Sequence, residues 1–250
     1  KPIKEENIEK AIKIVKELPE DADVAIFPEY MMAYPDGDLT PEFVQEIAEP
    51  LEGHFISALR EAAREKGIWL VVNFFERGKR RPRNVNVIID RKGSIISKYS
   101  KIHLFDVYGY KESEFFEAGT EIVTFDLEGL NVGIATCFDV RFPELFRRMA
   151  LKGAKAFILP SAWYAGPAKE EQWFIMGRAR AHENVAFVLA VGNSAKPFIG
   201  RSLVADPFGI VRLDLGNGEK LGFFELDEKE VEKARDVLPL LDLRRPDSYS

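Results

Sequence analysis

Cysteine is nearly absent from this chain: one residue, Cys137, stands among 250. A single thiol excludes an internal disulfide and any metal site built from several cysteines. Long apolar runs are missing, and the first residues do not form a basic stretch followed by an apolar one, so the chain reads as a soluble, cytoplasmic protein with no membrane partner. No Gly/Ser-rich or Pro-rich stretch divides it and no period repeats, so one domain over residues 1–250 is expected. Positive charge is not in excess either. Lys plus Arg number 35 against 41 Asp plus Glu, a net charge of -6, which argues against nucleic acid as a partner. The one dense basic patch, Arg77, Lys79, Arg80, Arg81 and Arg83, falls between two predicted strands and reads as a solvated hairpin loop. Were it a nucleic-acid site, binding would weaken steeply with salt. Charge of both signs is plentiful at 30%, with Glu and Lys prominent, a composition that fits a heat-stable protein.

Against this background the stretch from Leu130 to Leu145 stands out. The apolar run Val132 to Ala135 is too short for a helix and reads as a buried strand leading into Cys137. After it, Pro143 and Glu144 mark the first turn of a helix that runs to about Lys152, before Gly153. A thiol at such a corner has its side chain at the end of a sheet and a helix start nearby, both of which favour the thiolate. The competing reading is a small buried hydrophobe, and position alone does not separate the two.

Elsewhere, Asn7 to Leu18 carries a helical apolar stripe, and Val24 to Phe27 is a short buried strand ending in Pro28-Glu29-Tyr30. Pro41 to Lys66 reads as helix broken before Pro50, and Ile68 to Phe75 as a strand. Asn84 to Ile89 with Ser94 to Tyr99 reads as a hairpin, closed by Asp90 to Gly93. That hairpin ends at Lys101 and opens a long loop, Asp106 to Gly119, of a length that compact domains usually reserve for function. Further strands are expected at Glu121 to Phe125, Asn131 to Thr136, Ala156 to Leu159, Ala186 to Val191, Arg201 to Asp206, Ile210 to Asp214 and Lys220 to Leu226. Helices are expected over Glu170 to Asn184 and, capped by Asp227, to about Arg235. Strands, hairpins and helices in this order suit two sheets with helices outside. The tail, Leu241 to Ser250, has no stripe of its own and is expected to be loose or to dock on another surface.

Three strand ends thus present a carboxylate, an ammonium and a thiol: Glu29, Lys101 and Cys137. A thiol nucleophile needs a base for its proton, and an attacked carbonyl or nitrile needs a positive donor where negative charge develops. The segments carrying these residues, FPEY, SKIHLF and ATCFDVRFPEL, resemble in order and spacing the three motifs of the nitrilase superfamily of carbon-nitrogen hydrolases. The resemblance extends to RARAHENVAFV and to the Asp-Pro-Phe-Gly hairpin.

The resemblance implies a four-layer αββα sandwich of the nitrilase type, with the family's first strand missing before the first helix. It also implies hydrolysis of non-peptide carbon-nitrogen bonds through a thioester, without metal or organic cofactor. On the matching positions, Cys137 would be the nucleophile, Glu29 the general base, Lys101 the stabiliser of the tetrahedral intermediate and the backbone N–H of Phe138 a second oxyanion donor. A further family glutamate matches Glu112 best, ahead of Glu114 and Glu117. Trp163 and Tyr34 are candidates for the substrate pocket; a core role competes for Trp163. His103 invites a Cys-His dyad, but its motif makes it structural and Glu29 fills the base role; His54 and His182 read as structural too. Within the superfamily the Cys-Phe-Asp-x-Arg-Phe-Pro-Glu run looks like the omega-amidase branch, implying a small aliphatic amide substrate and a homodimer or larger homo-oligomer, with Leu241, Arg244, Arg245 and Pro246 a candidate part of the interface. Nitrile or N-carbamoyl hydrolysis would use the same residues, and a catalytically silent interaction protein is the alternative outside catalysis.

Overall fold

The computed structural model describes residues 2–248, and the last two residues of the predicted tail lie outside that range. The described chain is a mixed α/β structure with two sheets and six helices. Its contacts group into two compact units: the first runs through Glu121 and adds Thr136–Asp139 and Pro160–Ala162, and the second takes Ile122–Ala135, Val140–Leu159 and the chain from Trp163 on.

In the first unit, α1 (Lys4–Glu17) buries its stripe Ile8, Ala11 and Val15. Strand β1 (Val24–Ile26) pairs parallel with β2 (Trp69–Glu76), a pairing that needs a long crossover, which α2 (Pro41–Ile47) and α3 (His54–Lys66) supply. The helical stretch is broken before Pro50, as its composition suggested. Thr40 starts α2, its Oγ1 accepting the Phe43 N–H at 3.2 Å, and Gly67 ends α3 at a φ of 69°. Strands β3 (Arg83–Ile89) and β4 (Ile95–Ser100) add antiparallel, giving the order β1-β2-β3-β4. Every residue of β2 is buried.

In the second unit, β5 (Thr124–Leu127) and β6 (Leu130–Ile134) form a hairpin through Glu128 and Gly129, both at positive φ, as a tight two-residue turn requires. Helix α4 (Pro143–Leu151) crosses over from β6 to its parallel neighbour β7 (Ala156–Ser161). After α5 (Lys169–Asn184) come β8 (Phe187–Gly192), β9 (Leu203–Ala205) and β10 (Val211–Asp214), and the sheet order is β10-β9-β8-β7-β6-β5. Helix α6 (Glu228–Val237) is capped by Asp227, whose Oδ1 accepts the Lys229 N–H at 2.9 Å.

The segment from Lys220 to Leu226 is not a strand. Its alternating apolar residues Leu221 and Phe223 are 56% and 57% exposed, and an alternating pattern without a partner ladder makes no sheet.

Candidate active site

Three strand ends and one loop meet in the first unit. Glu29 lies just beyond β1, whose pairing is extended by the Phe27 N–H donating to Val71 O at 2.9 Å. Lys101 lies just beyond β4, its N–H held on Asn84 O at 2.9 Å, and the returning loop closes on it where the Gly119 N–H donates to Lys101 O at 2.8 Å. A Cβ at Gly119 would sit 2.1 Å from Ser100 O, so only glycine permits that closure. Cys137 opens a 3-10 turn, Cys137–Arg141, with a φ of 43°, a left-handed conformation that costs a residue with a Cβ. The turn is pinned by Asp139, whose Oδ2 accepts the Thr136 N–H at 2.9 Å and the Tyr99 hydroxyl at 2.6 Å.

The lysine is the centre of the cluster. Lys101 Nζ is 2.9 Å from Glu29 Oε1, 3.0 Å from Glu112 Oε1 and 2.8 Å from Glu112 Oε2, and the three side chains are 2%, 1% and 0% exposed. Burial alone would lower the ammonium's pKa, but the carboxylates of Glu112 and Glu29 more than offset it and hold Lys101 well above the ordinary lysine range. Glu29 is pushed up, chiefly by burial and further by Glu112, with Lys101 opposing; its Oε2 accepts the Ala162 N–H at 2.8 Å. The Cys137 thiol is pushed well above its usual range, first by burial and then by the negative charge of Glu29, with Lys101 and the Ala162 N–H opposing.

That last direction corrects the expectation of a helix-favoured thiolate. Between Cys137 and α4 stands the 3-10 turn, and burial beside a carboxylate outweighs the distant helix start. Burial and the neighbouring Glu29 carboxylate therefore favour the protonated thiol.

Of the three loop glutamates only Glu112 reaches the lysine; Glu114 is exposed and Glu117 pairs with Arg83 at 3.3 Å. The loop is ordered by Glu112 itself, whose Oε2 accepts the Phe105 N–H at 2.7 Å, by Ser113 N–H on Asp106 at 2.9 Å, and by Arg81, which donates to Ser113 O. The basic patch is therefore in part a brace for this loop: Arg81 and Arg83 hold it, while Arg77 donates to Ala48 O at 2.8 Å. His103 is committed to Asp139, through its N–H at 2.9 Å and Nδ1 at 2.7 Å.

Tyr34 is buried and stacks on Tyr30 at 5.7 Å, and the Tyr30 hydroxyl donates to Glu112 Oε1 at 2.9 Å, so the predicted tyrosine stands one ring from the cluster. Phe138 follows Cys137 in the turn, its ring edge-on to Phe105 at 5.1 Å. Trp163 belongs to the second unit, where it is buried with the Arg141 guanidinium 4.0 Å over its ring and Trp173 5.3 Å away. Among the described residues, no group of three or more His, Cys, Asp or Glu side chains is placed to hold a metal ion, and no helix is long and apolar enough to cross a membrane.

Sequence reasoning left five residues of this site unassigned: Tyr30, Asp139 and the buried asparagines Asn73, Asn84 and Asn86. The signal for the asparagines was available. Asn73 interrupts the apolar run of β2, and Asn84 and Asn86 occupy one face of β3 at a period of two, a costly choice in a buried strand unless the amides have partners.

Comparison with known proteins places this arrangement in context. The family model described as carbon-nitrogen hydrolase matches residues 2–236. The deaminated glutathione amidase of Escherichia coli O157:H7 is 34% identical over 227 residues, 90% of this chain and 86% of that protein. Among solved structures, the NitFhit protein of C. elegans superposes with a TM-score of 0.89 at 30% identity over 99% of this chain, which spans 63% of that longer chain. Nit3 of Saccharomyces cerevisiae, described as a member of branch 10 of the nitrilase superfamily, superposes with a TM-score of 0.85 at 28% identity, covering 98% of this chain and 92% of its own.

Proposed function

The chain belongs to the carbon-nitrogen hydrolase family, and on that premise we propose that it cleaves a small aliphatic amide to a carboxylic acid and ammonia through a thioester on Cys137. The observation that carries this reading is the buried contact of Glu29, Lys101 and Glu112 beside the family cysteine. Glu29 takes the Cys137 proton as the sulfur attacks the amide carbon. The carbonyl oxygen, now negative, is met by the Lys101 ammonium and by the Phe138 N–H. Glu29 returns the proton to the departing nitrogen, ammonia leaves, and a thioester remains. Glu29 then removes a proton from water as it attacks the thioester, and the acid departs with Cys137 protonated again. Glu112 keeps Lys101 charged and aimed, and Tyr34, one ring away through Tyr30, walls the substrate. The amidase name carried by the Escherichia coli relative supports an amide over a nitrile or N-carbamoyl compound.

The same proposal takes residues 1–250 as one hydrolase domain, supported by the single family match over most of the chain. It takes the protein as a heat-stable, cytoplasmic homo-oligomer, with the exposed Leu243 in the tail supporting an interface there.

The test is ammonia release from a panel of small amides, nitriles and N-carbamoyl compounds, with intact-protein mass recorded during turnover. An acyl adduct on the wild-type protein and none on Cys137→Ala is expected, with amides the best substrates. Turnover that survives Cys137→Ala removes the nucleophile assignment, and silence across the panel returns the silent-scaffold alternative.

A further inference from the structure

The asparagines of β2 and β3 form a continuous buried chain between the two ends of the site. Asn73 Oδ1 accepts the Tyr30 N–H at 2.8 Å. Its Nδ2 carries two N–H groups, shared among Asn84 Oδ1 at 2.7 Å, Asn86 Oδ1 at 3.0 Å and Val85 O at 3.2 Å. Asn84 Nδ2 then donates to Glu29 Oε1 at 2.8 Å and lies 3.4 Å from Glu112 Oε1, while Asn86 Nδ2 donates to the Thr136 hydroxyl at 2.8 Å.

An amide can be turned end for end, so the direction of such a chain needs a reason. Here the backbone supplies it. The Tyr30 N–H can only donate and the Val85 carbonyl can only accept, so Asn73 has one satisfactory orientation. With Asn73 fixed, the oxygens of Asn84 and Asn86 must face it, and their N–H groups must face outward, one to the carboxylates and one to Thr136.

We propose that Asn73, Asn84 and Asn86 are positioning residues for both reacting side chains: Asn73, oriented by backbone groups, makes Asn84 present an N–H to the Glu29 carboxylate and Asn86 an N–H to Thr136, which precedes Cys137. The proposal deepens the amidase reading and rests on Glu29 being the base. Around Glu29 stand three titratable groups, Lys101, Glu112 and Cys137, and the Ala162 N–H. Lys101 and Asn84 together occupy Oε1, so the base is held in one rotamer by a cation and a neutral donor. The neutral donor favours the ionised carboxylate without adding charge to a site that already holds one ammonium. Removing it lets Glu29 keep its proton to higher pH, which displaces the acid limb of Cys137 reactivity upward.

The experiment measures the rate at which iodoacetamide alkylates Cys137 as a function of pH, read by intact mass, in the full-length wild-type protein, Glu29→Gln and Asn84→Ala. Because the chain has one cysteine, the mass shift reports that site alone. A wild-type acid limb that Glu29→Gln abolishes and Asn84→Ala moves to higher pH is expected, with alkylation below the limb slowed by about tenfold or more, the worth of a hydrogen bond to a charged group. A wild-type profile with no Glu29-dependent limb overturns the base assignment and this proposal with it. A normal wild-type limb left in place by a folded Asn84→Ala overturns the asparagine proposal alone. Should Asn84→Ala fail to fold, the side-chain amide NMR signals of Asn73 and Asn84 in the wild type decide: they should shift together with the limb, and constant signals through it refute the chain.

Discussion

Strands β2 and β3 of the first unit bury three asparagines, whereas β7 and β8 of the second open on Ala156-Phe157-Ile158-Leu159 and Phe187-Val188-Leu189-Ala190, with nothing polar among them. Burying an amide is costly unless each N–H and oxygen is matched, and a matched hydrogen bond adds only about 1 kcal/mol net. Burying a Phe or Leu side chain contributes roughly 1.5–3 kcal/mol by removing apolar area from water. The three asparagines therefore add direction to an otherwise apolar interior in β2 and β3, whereas these stretches of β7 and β8 add stability alone. Substitutions in the two regions should fail in different ways.

The largest break comes from Lys101→Met. It removes the proposed oxyanion partner, which should lower the rate by about a hundredfold to a thousandfold, and it leaves Glu29 and Glu112 buried without their cation, which should also lower the unfolding midpoint. A near-normal turnover number would deny the lysine its role. Phe157→Ala sharpens the contrast from the other side. This side chain is fully buried against Phe146 at 5.3 Å, and its loss should cost about 3–5 kcal/mol in denaturant unfolding while the turnover number of the remaining folded protein holds. A large fall in turnover at full folding would mean the division of labour is wrong. Glu112→Gln is smaller, about tenfold in single-turnover acylation, because the amide still bonds Lys101 but no longer balances its charge. An unchanged rate would dismiss Glu112 from the reaction. Smallest is Asp214→Asn, which breaks a part-exposed pair with Arg201 and should change stability by less than about 1 kcal/mol and activity not at all.

Much of the site was legible because its parts lie at strand ends. Glu29, Lys101 and Cys137 each follow a recognisable strand, and the structure brings all three together in one buried cluster. Glu112 was ranked ahead of Glu114 and Glu117 only through the motif resemblance, since a loop has no period to say which acid turns inward. The asparagine chain stayed hidden because it depends on register: that Asn73 pairs with Asn86, and that Asn84 lies diagonally across, follows from the β2 and β3 ladder. The direction of the thiol's pKa was misjudged for a related reason, since depth of burial and the approach of Glu29 are products of tertiary packing. At Lys220 to Leu226 alternation was real but had no neighbouring strand to meet.

The left-handed backbone at Cys137, repeated at Tyr30 beside Glu29 with a φ of 60°, sets an uphill direction for inheritance. A mutation to glycine at position 137 would relieve about 1 kcal/mol of backbone strain in the turn while removing the proposed nucleophile. The backbone at this position thus pulls toward glycine while the proposed chemistry requires a thiol, so strain at this one residue works against its retention.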